Sequence, residues 1–158
     1  MRYAHAILVC LIVIAGCGGG GGREPLTMTG SAALNASSGV NQDGSLYDSQ
    51  TFTTTRDGWV QVSMSSDTLD SYVIVYSGVT EDVEVGYDDD SGTHGNAIYY
   101  FHAGRGETYT AKFTTYGEGS HTGDYVFTIK EITAPDVMRT LALTVGKQPH
   151  DPAAKRAR

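Results

Sequence analysis

Acidic side chains are concentrated in one stretch of the sequence, where they could bind a cation. Between residues 57 and 104 the chain contains nine aspartates and glutamates and no lysine or arginine. Repulsion among like charges raises carboxylate pKa values or recruits a cation, and Ca²⁺ prefers carboxylate and carbonyl oxygens from flexible loops. The stretch therefore favours calcium as a stabilising ion. The predicted metal ligands are Asp67, Asp70, Asp88, Asp89 and Asp90.

The spacing of these aspartates does not fit an EF-hand. The residues from Asp88 onward match the start of such a loop, but positions six and twelve are Thr93 and Tyr99, where Gly and Glu are required. We therefore predict a discontinuous site in which residues 67–70 and 88–90 meet at one end of the fold. The competing interpretation is that these are turn residues whose carboxylates accept backbone N–H hydrogen bonds and keep the surface soluble.

The sequence contains no motif typical of a catalytic centre. The histidines after residue 20 are His94, His102, His121 and His150, and none has the HxH or HExxH spacing of a zinc site. Ser91 and His94 lie near acidic residues, but a GxSxG motif is absent and proximity in sequence does not make a triad. We therefore predict that the protein is not an enzyme.

Aromatic side chains are the second candidate for binding chemistry. The chain has ten tyrosines, four phenylalanines and one tryptophan. Rings that point outward provide flat apolar platforms for sugar rings or peptide segments. The predicted ligand-binding residues are Trp59, Tyr99 and Tyr116. The competing interpretation is that these rings fill the core or cover its ends.

The charge balance excludes one class of partner. Eleven lysines and arginines stand against 18 aspartates and glutamates, which gives a net charge of −7. Nucleic-acid binding needs clustered basic side chains that contact phosphates. We therefore predict no nucleic-acid partner.

The amino-terminal residues have the pattern of a secretory signal. Arg2 precedes an apolar run over residues 6–15, followed by small residues. A helix over residues 6–16 rises about 16 Å, at about 1.5 Å per residue, and cannot span a hydrocarbon core of about 30 Å. We therefore expect a cleaved signal peptide over residues 1–16.

The end of this signal resembles the bacterial lipobox. The residues concerned are Ile14-Ala15-Gly16-Cys17. The resemblance implies that Cys17 carries the lipid and becomes the first residue of the mature chain, so that a lipid bilayer is its partner. Gly18 follows the cysteine in place of an inner-membrane retention aspartate, which implies the outer membrane in a bacterium that has two.

The segments before and after the predicted domain show no sustained period of apolar residues. Residues 17–44 begin with the lipidated cysteine and five glycines and continue with small polar residues, which predicts a disordered tether. Residues 134–158 form a mostly loose tail with at most one extra strand, at the alternating Leu141, Leu143 and Val145. The folded domain is predicted over residues 45–133.

Within that domain the apolar residues recur with a period of two, separated by turn residues. In residues 59–65, for example, Val60, Val62 and Met64 alternate with polar residues. Residues 71–76 are apolar on both faces, which indicates a strand covered from two sides. Seven strands in about 90 residues favour an all-β, antiparallel two-sheet sandwich over a single open sheet. The predicted strands lie in residues 47–55, 59–65, 70–77, 83–87, 97–102, 109–113 and 125–129.

Six short motifs in this order resemble the bacterial pre-peptidase C-terminal domain. They are Gln50-Thr-Phe-Thr, Gly58-Trp-Val-Gln-Val-Ser-Met, Asp67-Thr-Leu-Asp-Ser-Tyr-Val, Asp88-Asp-Asp-Ser-Gly, Gly106-Glu-Thr-Tyr and Gly123-Asp-Tyr-Val-Phe-Thr-Ile. The resemblance implies a jelly-roll-like β-sandwich of a kind usually attached to secreted proteases and other exoenzymes. Some relatives bind collagen, polysaccharide or calcium, but no catalytic domain precedes the motifs in this sequence.

These patterns lead to one expected function and one alternative. We expect a cell-envelope lipoprotein with a non-catalytic module for adhesion or for binding polysaccharide or extracellular protein, stabilised by calcium. The alternative is a structural or accessory envelope protein that assists the secretion or assembly of an exoenzyme.

Overall fold

Alternating apolar and polar residues build nine β-strands in the computed structural model, which describes residues 24–133. The strands are β1 (Thr27–Leu34), β2 (Gly39–Val40), β3 (Leu46–Thr53), β4 (Gly58–Ser65), β5 (Ser71–Ser77), β6 (Val83–Asp88), β7 (Ala97–Ala103), β8 (Thr108–Thr115) and β9 (Gly123–Ile132). They form a four-stranded sheet in the order β1-β9-β4-β7 and a five-stranded sheet in the order β2-β3-β8-β5-β6. Every pairing is antiparallel. The all-β sandwich prediction is confirmed.

The core lies between the two sheets and consists of the inward members of each alternation. In β4 these are Val60, Val62 and Met64, all fully buried. Phe113 of β8 and Phe127 of β9 join the sheets, with ring centroids 5.1 Å apart. Aromatic pairs at this separation stabilise a core beyond their buried area.

The folded region begins at an earlier residue than predicted. All seven predicted strands are present, but β1 and β2 lie within residues 17–44, so the prediction of a disordered tether is wrong for residues 27–34 and 39–40. Strand β1 pairs with β9 along its whole length, from Thr27 opposite Lys130 to Leu34 opposite Gly123. The small residues that suggested a linker serve close packing, because a Cβ atom at Gly30 would lie 2.6 Å from Cε1 of Phe127.

A buried carboxylate attaches the start of β1 to the rest of the sandwich. Glu131 accepts hydrogen bonds from the backbone N–H of Leu26 (2.9 Å), from the N–H and hydroxyl of Thr55 (2.5 and 2.7 Å) and from the N–H of Arg56 (3.3 Å). The Arg56 guanidinium lies 3.4 Å away. Burial raises the pKa of Glu131, but the hydrogen bonds outweigh burial and hold the pKa below its ordinary value.

Several predictions fall outside the described residues. These are the signal peptide at residues 1–16, the lipidation of Cys17, and the tail at residues 134–158. Within residues 24–133, the chain forms no helix with the length and apolarity needed to cross a bilayer.

Candidate functional site

Hydrogen bonds of one asparagine join the residues that flank positions 67–70 to the connection between β6 and β7. Asn96, just before β7, accepts hydrogen bonds through Oδ1 from the Ser66 N–H (2.9 Å) and the Ser71 hydroxyl (3.4 Å). Its Nδ2 donates to the Thr93 carbonyl at 2.8 Å. Nothing in the sequence analysis had selected Asn96, because a lone asparagine before a strand has no distinctive spacing.

The five predicted metal ligands do not form a metal cluster. Within residues 24–133, no group of three or more histidine, cysteine, aspartate or glutamate side chains is placed to hold a metal ion. Asp67 and Asp70 are exposed, Asp89 is buried, and Asp88 and Asp90 are half-buried. Calcium binding therefore stays a prediction, and residues 24–133 contain no cluster of ligands that supports it.

Asp88 has the role that the competing interpretation assigned to it. Its Oδ2 accepts hydrogen bonds from the N–H groups of Ser91 (3.1 Å) and Ile98 (2.7 Å), which closes the loop between β6 and β7. Burial raises the pKa of Asp88 above its ordinary value of 3.8, although these hydrogen bonds lower it in part. The carboxylate thus satisfies backbone donors of a turn.

The three aromatic residues predicted to bind ligand lie in three separate places. Trp59 lies on the outer face of the four-stranded sheet, edge-on to His102 at 5.8 Å. Tyr99 packs against the core, stacks on Phe101 and donates its hydroxyl to the Val85 carbonyl at 3.1 Å. Tyr116 follows β8 with its ring 6.1 Å from that of Tyr72. The three residues therefore do not share one surface, and only Tyr116 lies beside a residue, Tyr72, that lines the cavity described next.

The outer face of the five-stranded sheet contains a cavity of about 390 Å³, which we call the tyrosine groove. Strands β3, β8 and β5 position its floor, because residues that alternate with the core side chains of these strands all face outward. Its lining is Val40, Asn41, Gln42, Asp43, Tyr47, Tyr72, Ile74, Tyr76, Glu81, Glu84, Lys112 and Thr114. Three tyrosines and an isoleucine give it an apolar floor, and acidic residues surround that floor.

A buried lysine occupies the centre of the tyrosine groove. Lys112 is only 6% exposed, and its Nζ lies 4.0 Å from the ring centroid of Tyr47 and 5.7 Å from that of Tyr76. The ammonium forms an ion pair with Glu81 and donates a hydrogen bond to Oδ1 of Asn41 at 3.2 Å. Aromatic faces and a carboxylate together stabilise a cation that is withdrawn from water.

The position of Tyr47 depends on a glycine. Gly39 of β2 lies against the Tyr47 ring, and a Cβ atom at Gly39 would overlap that ring. Because only glycine leaves this space, β2 can cover one side of Tyr47 while Lys112 contacts a face of its ring. The short strand within the predicted linker therefore helps to shape the tyrosine groove.

An exposed aliphatic side chain lies at the edge of the tyrosine groove. Within residues 24–133 the exposed large hydrophobic residues are Val40 (64%), Val79 (71%), Val83 (62%) and Val126 (43%). Of these, Val40 lines the groove. Val79 and Val83 belong to the β5–β6 hairpin, and Val126 belongs to β9 of the other sheet. The apolar lining of the groove therefore extends from the tyrosines of its floor to the exposed Val40.

Two of the described histidines contact a carbonyl oxygen and an aromatic ring. Nε2 of His121 contacts the carbonyl oxygen of Glu118 at 3.2 Å, and the His102 ring contacts Trp59.

Several solved structures are similar to this chain in fold. The pre-peptidase C-terminal domain of collagenase from Bacillus anthracis matches with a TM-score of 0.48 and 16% identity over 66% of this chain and 89% of that chain. PliG from Aeromonas hydrophila, a periplasmic inhibitor of g-type lysozyme, matches with a TM-score of 0.44 and 10% identity over 72% of this chain and 90% of that chain. The mitogen YPM derived from Yersinia pseudotuberculosis matches with a TM-score of 0.44 and 14% identity over 70% and 89%. No protein-family model and no curated protein matches the sequence.

Proposed function

We propose that this protein is a non-catalytic binding module of the bacterial cell envelope and that the tyrosine groove is its ligand site. The observation that carries the proposal is a concave, aromatic face on the outside of a sheet, where Lys112 is buried among tyrosines. An outer sheet face that needed only to be soluble would carry polar side chains. This outer face instead presents tyrosine, isoleucine and valine side chains to a cavity.

The groove chemistry suits recognition of a polysaccharide or an extracellular protein. Tyrosine rings provide flat contact area at low entropic cost, and the carboxylates and amides around them can fix the orientation of a polar ligand. The groove is built on three paired strands, so its tyrosines are held in place before a ligand arrives. Pre-positioned side chains lose little conformational freedom on binding.

Replacing one tyrosine of the groove with alanine should reduce the affinity for the ligand by about tenfold, which is the effect of removing one aromatic anchor. The variant is Tyr76→Ala, because Tyr76 lines the groove and is half-buried. The matched control is Trp59→Ala, which removes a half-buried aromatic ring from the outer face of the other sheet. Labelled full chain and both variants are titrated against the glycans and extracellular matrix proteins that the wild type retains.

The proposal is decided by which of the two substitutions weakens ligand binding. If Trp59→Ala weakens binding and Tyr76→Ala does not, the ligand site lies on the other sheet. If the wild type retains no glycan or matrix protein but purifies with an exoenzyme from the envelope, the accessory function replaces binding of an external ligand.

The lipid anchor is tested by its own substitution. The lipobox resemblance places the acyl chains on Cys17, and several chains hold a protein at a bilayer far more firmly than one. The Cys17→Ser variant should therefore incorporate no labelled fatty acid and should leave the membrane fraction. A Cys10→Ser variant, which changes a cysteine of the predicted signal peptide, should be lipidated like the wild type. Equal labelling of both variants would contradict the anchor.

A further inference from the structure

We propose that the occupant of the tyrosine groove is a basic segment of a partner protein, with a lysine or arginine side chain placed among the tyrosines. This inference rests on the proposed function and specifies its ligand. Three properties of the groove support it: the sign of its charge, the lysine that it already holds, and the exposed aliphatic residue at its edge.

The groove has an excess of negative charge. Its lining contains three carboxylates, from Asp43, Glu81 and Glu84, against the single ammonium of Lys112, and it contains no arginine or histidine. Lys112 is already paired with Glu81. A bound group that carries positive charge would complement the remaining excess, whereas an anionic ligand would meet repulsion.

Lys112 shows which side chain the groove accommodates. Its stem is buried along the outer face of the sheet, and its ammonium meets an aromatic face, a carboxylate and an amide oxygen. These are the contacts that a lysine or arginine from another protein would need in the neighbouring space. The cavity of about 390 Å³ lies beside this internal cation and is bordered by Tyr72, Tyr76 and Glu84.

The apolar lining of the groove favours a polypeptide over an amino sugar. Val40 exposes 64% of its surface at the edge of the groove, next to the apolar floor. Branched aliphatic side chains pack against the apolar side chains of another protein, whereas sugars are recognised through aromatic platforms and hydrogen bonds. A segment that alternates basic and aliphatic residues matches both the acidic and the apolar parts of the lining.

The test uses a fluorescent peptide of alternating lysine and valine, titrated into the full chain at low and at high salt. Binding should weaken with salt, and a peptide with glutamate in place of lysine should not bind. Glu84→Gln should weaken binding by about fivefold, whereas Asp124→Asn, the same change at an exposed site on β9, should alter it less than about twofold.

The sign of the Lys112 effect is the sharpest readout. Lys112→Met keeps a long side chain and removes the internal cation, so affinity for the basic peptide should rise by about fivefold. A decrease, with the melting temperature unchanged, would overturn the proposal because it would mean that Lys112 attracts an anionic group. Equal binding by wild type and Glu84→Gln would overturn it as well.

Two further outcomes separate this inference from the proposed function. Chitosan oligomers that bind with the same response to Glu84→Gln, when the peptide does not bind, would replace the protein segment with an amino sugar. A neutral glycan lost in Tyr76→Ala but unaffected by the charge variants would overturn the basic ligand and leave the binding function standing. If no ligand depends on Tyr76, both proposals fail.

Discussion

Replacing Glu131 with alanine should lower the free energy of unfolding by about 3 kcal/mol, because several partly buried donors lose their acceptor at once. The carboxylate accepts hydrogen bonds from Leu26, Thr55 and Arg56. These residues belong to the entry into β1 and to the turn before β4. The loss should therefore detach β1 first. Chemical denaturation measures the free energy, and hydrogen exchange measures the protection of the β1 amides.

The charge of Glu131 also makes stability depend on pH. Its pKa in the folded state lies below the ordinary value of 4.5, so its contribution is complete above about pH 4.5 and is lost as the pH falls through the folded pKa. The Glu131→Gln variant keeps one acceptor oxygen but no charge. The difference in stability between wild type and Glu131→Gln should therefore be constant at neutral pH and should shrink in acid.

A surface acid provides the control for both measurements. Asp82 is exposed in the turn between β5 and β6, and Asp82→Ala should change stability by less than about 0.5 kcal/mol. A loss for Glu131→Ala no larger than the loss for Asp82→Ala would show that the carboxylate does not hold β1. A stability difference for Glu131→Gln that grows in acid would contradict the lowered pKa.

The sequence allowed most of the fold to be predicted because burial on one face leaves a period of two. Val60, Val62 and Met64 alternate with polar residues, and the structure places all three in the core. Strand β1 was not predicted because two of its inward residues, Gly30 and Ala32, are small and interrupt the apolar alternation. Gly30 packs beneath a phenylalanine ring, so the residue that signals flexibility in a sequence here signals close contact.

One pattern in the sequence reflects the tyrosine groove, but it predicted a covered strand instead. Residues 71–76 are apolar on both faces, and we predicted a strand covered from two sides. Only one face of β5 packs in the core, whereas Tyr72, Ile74 and Tyr76 line the groove. The apolar second face of β5 thus indicated an outer groove and not a covering layer. Which tyrosines share that surface depends on strand register, which no single segment encodes.

Lys112 could not have been selected from the sequence for a related reason. An isolated lysine in the alternation of β8 is typical of a solvent-exposed face. Its burial depends on Tyr47 from β3, Tyr76 from β5 and Glu81 from the hairpin beyond β5, all brought together by long-range pairing. The hydrogen bonds of Asn96 to Ser66 and Ser71 likewise join residues that are far apart in the sequence.

The second large effect concerns the contact that places β1 in the sandwich. Phe127→Ala should lower the free energy of unfolding by about 4 kcal/mol, as expected when a fully buried phenylalanine is truncated. Phe127 packs against Phe113 across the core and lies opposite Gly30 in the β1–β9 register. Its removal leaves a cavity that borders both sheets, and chemical denaturation measures the loss.

A double-mutant cycle with Gly30 tests the register of β1 directly. Gly30→Ala should cost about 1 to 3 kcal/mol in the wild type, because the added methyl group overlaps the Phe127 ring. In the Phe127→Ala background the same methyl group enters the new cavity, so its cost should fall by at least about 1 kcal/mol. Ser31→Ala, at the exposed neighbouring position in β1, should cost less than about 0.5 kcal/mol in both backgrounds. If the effects of the Gly30 and Phe127 substitutions on the free energy of unfolding are simply additive, β1 does not pack against Phe127 as described. The placement of β2, which follows β1 and covers one side of Tyr47, would then lose its support as well.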